Sequence, residues 1–193
     1  MPPRTESESE PERELPASSI GAARTWALND ADPDPSGRYV LYWCRAYRRP
    51  TDNLALDHAA RRANELHLPL LVYEALDVRY PHANDRIHTF VLEGAAGMRA
   101  ALEARNAAYV FYLPRSREES ARSRALESLA RDAAIVVTDW YPDVGGRKQL
   151  WRHTASMARR VHCAFEAIDD ACIVPMSLLQ KPETNARTLR PKI

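Results

Sequence analysis

The sequence predicts an α/β fold, a Rossmann-like, doubly wound sheet of five parallel strands flanked by helices. Three observations carry this. From residue 38 onward, short apolar runs alternate with longer segments of helical period, the pattern of βα units laid around a parallel sheet. The runs are apolar on both alternating positions, as strands covered on both faces are. And 193 residues suffice for one substantial core, at about 100–200 residues per domain.

Taken in order, residues 1–37 come first and differ from the rest. They are rich in Pro, Glu and Ser, as in TESESEPERE and NDADPDPSG, with too few apolar side chains to offset the entropy of ordering. The stretch reads as a disordered tail, in which Trp26 and Leu28 are the residues able to dock a short piece. Residues 38–175 then form the α/β domain, with strands expected at Tyr39–Trp43, Leu70–Ala75, Tyr109–Leu113, Ala134–Asp139 and Cys163–Ile168. All five look buried on both faces.

Between the first two strands, Leu56, Ala59, Ala60, Ala63 and Leu66 recur at helical spacing, and Asp52 is placed to cap the first free backbone N–H groups. The second helix carries Ile87, Phe90, Val91, Gly94, Met98 and Leu102 on one stripe. A third starts at Ser116, with Glu119 completing a capping box and Ala125, Leu126 and Leu129 as its apolar face. The fourth presents Leu150, Trp151, Thr154, Ala158 and Val161. Right-handed crossovers are expected throughout.

The composition excludes several classes of function. The 27 basic and 26 acidic residues leave a formal charge of +1, so the whole molecule offers no electrostatic reason to bind nucleic acid. Cys44, Cys163 and Cys172 form neither a CxxC pair nor an even-numbered framework and read as reduced, mostly buried thiols. His58, His67, His88, His153 and His162 have no partners at metal-ligand spacing and read as surface or boundary residues. No GxGxxG follows a strand, and there is no P-loop and no GxSxG elbow. No metal ligand and no catalytic residue is assigned. No apolar stretch approaches the roughly 20 residues that span a bilayer, and the absence of a leader pattern points to a cytoplasmic protein. Tyr39, Tyr42, Tyr109 and Tyr112 lie inside strands and are assigned to packing.

Ligands of open parallel sheets bind outside the carboxyl ends of the strands, where strand order reverses. The loop after the first strand offers Arg45, Arg48 and Arg49 before a helix opening at Asp52 and Asn53, a setting in which arginines can hold an anion. A solvated charged loop with Asp52 as a simple cap fits the same residues, and spacing alone favours it. Asp139 ends the fourth strand, with Gly145 and Gly146 leading into a helix, where either a ligand or a plain glycine turn can sit.

Read together, the stretch from GRYVLYWCRAYRRPTDN through LPLLVYEALDVRYPHANDRIHTFVLEG resembles the opening of class II cyclobutane-dimer photolyases. The later IVVTDW and the closing ARTLRPKI are similar to that family too, so that the resemblance runs from about Arg38 to Ile193. Two places depart from it: MSLLQKPETN keeps only Lys181 and Glu183 of the usual run, and Pro114–Arg115–Ser116 stands where the turn usually carries glycine. The resemblance implies a light-harvesting amino-terminal domain that can hold a deazaflavin-type antenna chromophore. FAD and the pyrimidine-dimer DNA would belong to a carboxy-terminal helical domain, absent here or separately encoded, to which residues 176–193 would lead. The chain alone would then not repair DNA. If a chromophore binds, the candidates are Trp43, Arg45, Asp52, Asn53 and Asp139. Two rivals are a free-standing nucleotide- or flavin-binding module and an orphaned interaction domain.

Overall fold

The computed structural model describes residues 21–78, 83–140, 148–178 and 185–190, with the side chains of residues 148–151 excepted. The strands are β1 (Thr25–Ala27), β2 (Tyr39–Cys44), β3 (Leu70–Ala75), β4 (Ala108–Tyr112), β5 (Ala133–Trp140) and β6 (Ala164–Asp169). The helices are α1 (Leu54–Leu66), α2 (Asp85–Glu103), α3 (Arg117–Arg122), α4 (Ala125–Ala130), α5 (Lys148–Ala158) and α6 (Ala186–Leu189), with a 3-10 turn at Met176–Leu178.

The sheet has six strands in the order β1-β6-β5-β2-β3-β4. The five expected strands, β2 to β6, pair in parallel. The sixth is a correction: β1 lies antiparallel on β6, with Trp26 opposite Ala167, and makes the sheet mixed. It comes from the stretch read as tail, so residues 21–37 belong to the fold. The apolar content of that stretch is low because its attachment is made by polar groups. The Arg24 guanidinium donates to the carbonyls of Asp169, Cys172 and Ile173, and the Asn29 amide donates to the carbonyls of Ala158 and Cys163 and accepts from Phe165 N–H. Trp26 meets Trp140 edge-on, 4.4 Å between ring centres. Further on, a Cβ at Gly37 would stand only 2.2 Å from the backbone nitrogen of Ala134, so no larger residue lets the chain approach β5 as it does here.

Two apolar layers sandwich the sheet. On one face Val40, Tyr42, Val72, Ile135 and Val137 pack against Leu56, Ala59 and Ala63 of α1 and Met98 and Leu102 of α2. On the other, Leu41, Trp43, Val136 and Phe165 pack against Leu126 and Ala130 of α4 and Met157 and Ala158 of α5. Burial on both faces holds for β2 and β5 but fails at β4, an edge strand whose Val110 is exposed.

Three further expectations change locally. The third helix is two short ones, interrupted at Ser123 and Arg124; Ser116 does cap it, but Glu119 reaches back to the Arg115 N–H, one residue beyond the capping-box position. On α2, Val91, Met98 and Leu102 are buried while Ile87 and Phe90 face outward, because that part of the stripe overhangs the sheet. His58 is buried and bonded to Glu166 at 2.6 Å, so it is no surface histidine. Among the described residues no helix is long and apolar enough to cross a membrane.

Candidate functional site

From β2 the sheet continues through β3 and β4 on one side and through β5 and β6 on the other. The order therefore reverses between β2 and β5, and their following helices lie on opposite faces. This is the place where an open α/β sheet leaves a crevice at its carboxyl edge. The loop leaving β2 and the end of β5 meet there.

Asp139, near the end of β5, is almost completely buried and organises the β2 loop. Its Oδ2 accepts from three successive backbone N–H groups, those of Arg45, Ala46 and Tyr47, at 3.2, 2.7 and 2.8 Å. Successive N–H groups turned inward make an anion-binding concavity. The protein fills this one with its own carboxylate. The other oxygen, Oδ1, is buried and has no hydrogen-bond partner.

Beside it, the Arg45 guanidinium lies over the Trp43 ring at 4.3 Å and donates to Thr154 Oγ1 on α5. Burial pulls its pKa down to about 10, against the opposing pull of Asp139 and Asp77, so it stays charged at neutral pH. The His153 ring meets Trp43 edge-on at 5.8 Å. Behind them Thr138 donates to the Trp43 carbonyl at 2.9 Å.

The remaining arginines of the loop are also engaged from within. Arg48 pairs with Glu74 of β3 at 3.0 Å, and Arg49 with Asp170 at 3.3 Å. Glu74 is buried and accepts from the Tyr109 hydroxyl at 2.7 Å. Burial raises the Glu74 carboxyl above its ordinary range, the Tyr109 bond and Arg48 opposing, and burial likewise raises Asp170. Asp170 Oδ1 also accepts from the Leu54 N–H, while its Oδ2 is buried without a partner.

Of the five candidate residues, Trp43, Arg45 and Asp139 converge on one place. Asn53 joins through the loop: it is the true N-cap of α1, its Oδ1 accepting from Leu56 N–H at 2.8 Å while its amide donates to the carbonyls of Tyr47 and Arg49. Asp52 is not the cap. It is exposed and has φ 50°, and its carbonyl accepts from Arg49. The loop arginines meet partners within the fold, Arg45 at Thr154, Arg48 at Glu74 and Arg49 at Asp170, and the concavity itself holds Asp139. The sequence assigns Tyr109 to packing and does not single out Glu74 or Asp170, although a glutamate inside LLVYEA is a visible signal of buried charge. Gly145, Gly146, Lys181 and Glu183, with Tyr80, Pro81 and His82, lie outside the described residues.

Fold and site together define an α/β protein whose switch-point crevice is lined by a buried polar lattice. The family model described as DNA photolyase matches residues 40–193, and the chain belongs to that family. A deoxyribodipyrimidine photo-lyase of Methanothermobacter thermautotrophicus is 35% identical over 176 residues, covering 90% of this chain and 37% of the relative. The chain thus spans little more than a third of that protein's length. Among solved structures, a universal stress protein from Archaeoglobus fulgidus aligns over 68% of this chain and 98% of its own, with a TM-score of 0.42 and 14% identity, a likeness too distant to carry an argument.

Proposed function

We propose that this chain is the amino-terminal light-harvesting domain of a class II DNA photolyase, and that dimer repair requires a flavin-binding helical domain on a longer or separate polypeptide. The observation that carries the reading is the orphaned, buried Asp139 Oδ1 beside the Trp43–Arg45 stack, at the switch point of a family sheet. A buried acceptor without a donor has a cost of about 1–3 kcal/mol, which a ligand hydroxyl or N–H would remove.

A deazaflavin-type antenna chromophore fits these residues better than a nucleotide does. Its hydroxyls are donors suited to Asp139, and its flat ring system suits an aromatic and guanidinium wall. The bound chromophore would supply absorption of light. Trp43 and Arg45 would give it a face, Asp139 an acceptor, and Asn53 would hold the loop in shape. Asp52, exposed and turned out of the lattice, would contribute least. The helical domain is then the partner, and dimer-containing DNA is met only through it.

The test is an absorption and fluorescence spectrum of the purified chain mixed with a deazaflavin, and separately with FAD, after gel filtration to remove free ligand. Co-elution of the deazaflavin without FAD is expected, with loss of at least tenfold in affinity for Arg45→Ala at unchanged far-ultraviolet circular dichroism. Retained FAD would overturn the division of labour. Retention of neither would leave a domain that docks partners without a chromophore.

A further inference from the structure

At the opposite end of the sheet, where β5 and β6 begin, lies a second concavity of about 340 Å³, lined by Arg124, Glu127, Ala130, Arg131, Arg160, Val161 and His162. Its size is at the lower end of the range for small-molecule sites, roughly 300–1,000 Å³. Its chemistry is unlike the switch-point crevice, since three arginines face one glutamate. Glu127 is shared: Arg160 reaches it at 2.9 Å and Arg124 at 3.9 Å. One carboxylate thus answers two guanidinium groups, which leaves Arg131 as surplus positive charge on the wall. His162 is held at the rim by Asp34, 2.9 Å away.

We infer that this groove is a binding site for a small phosphate-bearing anion, with a diphosphate group seated between Arg131 and Arg160. Planar guanidinium forks match phosphate oxygens bidentately; Arg160, held at rest by Glu127 and Met157 Sδ, would turn from them to the ligand, and a concave wall with three guanidinium groups to one carboxylate attracts such anions. Ala130 and Val161 give the floor an apolar patch for the remainder of the ligand. An extended nucleic acid fits less well. Its neighbouring phosphates would run onto Asp34 and the exposed Asp132 beside the groove, and the net charge of +1 offers no wider field to compensate. The site is independent of the chromophore reading, because no residue is shared.

The experiment is calorimetric titration of the whole chain with inorganic pyrophosphate, adenosine diphosphate and a single-stranded oligonucleotide of ten nucleotides, each at low and at physiological salt. Pyrophosphate and the nucleotide are expected to bind, more weakly at higher salt. The double substitution Arg131→Ser with Arg160→Ser should weaken pyrophosphate binding at least tenfold. The charge loss is controlled by the double substitution Arg86→Ser with Arg99→Ser, both exposed on α2. Equal weakening by that pair would reduce the effect to net charge and overturn the site. Absence of pyrophosphate binding would overturn it as well. An oligonucleotide bound more tightly than either small anion would overturn the ligand class.

Discussion

Asp139 shows how much one side chain can hold. Its carboxylate satisfies the backbone N–H groups of three consecutive residues, a role that alanine cannot fill. Asp139→Ala is expected to lower unfolding free energy by about 2–4 kcal/mol, read as a fall in urea midpoint, because each stranded donor costs on the order of 1 kcal/mol or more. Asp139→Asn keeps an acceptor and should cost about half as much. Glu74 makes a pH prediction. Its carboxyl is raised by burial, so the folded state binds the proton more tightly than the unfolded state does. Its contribution to stability is therefore fully present below the ordinary carboxyl value and declines as pH rises through the raised one. Denaturation midpoints measured from pH 4 to pH 7 should fall more steeply in the wild type than in Glu74→Gln; equal slopes would remove Glu74 as the cause.

Residue roles were only partly legible in the sequence. The position of Trp43, Arg45 and Asp139 at the sheet's carboxyl edge is legible because strand ends are readable from apolar runs. Asp52 was mistaken for the cap because Asp and Asn both cap well, and only the backbone reveals that the chain turns through a left-handed conformation at Asp52 before Asn53 takes the cap. The engagement of the arginines also depends on partners far along the chain, Thr154 for Arg45, Glu74 for Arg48 and Asp170 for Arg49. No local pattern encodes such distances.

Elements β2 to β6 are legible to within a residue at every end, because a run such as AIVVTD has one plausible place in a doubly covered sheet. β1 was not. Three residues, Thr25 to Ala27, have no period of their own, and their place is fixed by Arg24 and Asn29. This gives a direct test of the domain boundary. A chain shortened to begin at Arg38 loses those bonds, the pairing of β1 with β6 and the packing of Trp26 on Trp140. It should have a lower thermal midpoint than a chain beginning at Gly21 and should elute partly as aggregate on gel filtration, because an uncovered strand edge invites pairing with other chains. Equal midpoints and a single monomer peak from both would return residues 21–37 to the status of a tail.

At the scale of the whole molecule, the two ends of the sheet differ in chemistry. The amino-terminal end of β5 and β6 gathers three guanidinium groups around one carboxylate, whereas at the carboxyl end each loop arginine has a partner of its own within the fold. The α/β layering follows from the alternation of runs and helices, and so is legible in the sequence; the strand order and the antiparallel edge are not. The polarity of each end arises from side chains gathered out of separate elements, α4 and the turn after α5 at the amino-terminal end and the ends and loops of several strands at the carboxyl end.

The carboxylate seated in the β2 loop has one more consequence. Backbone concavities of that shape are where abundant phosphorylated metabolites ordinarily lodge. By seating its own carboxylate there, the loop spends those three N–H groups internally, and a phosphate would have to displace Asp139 to reach them.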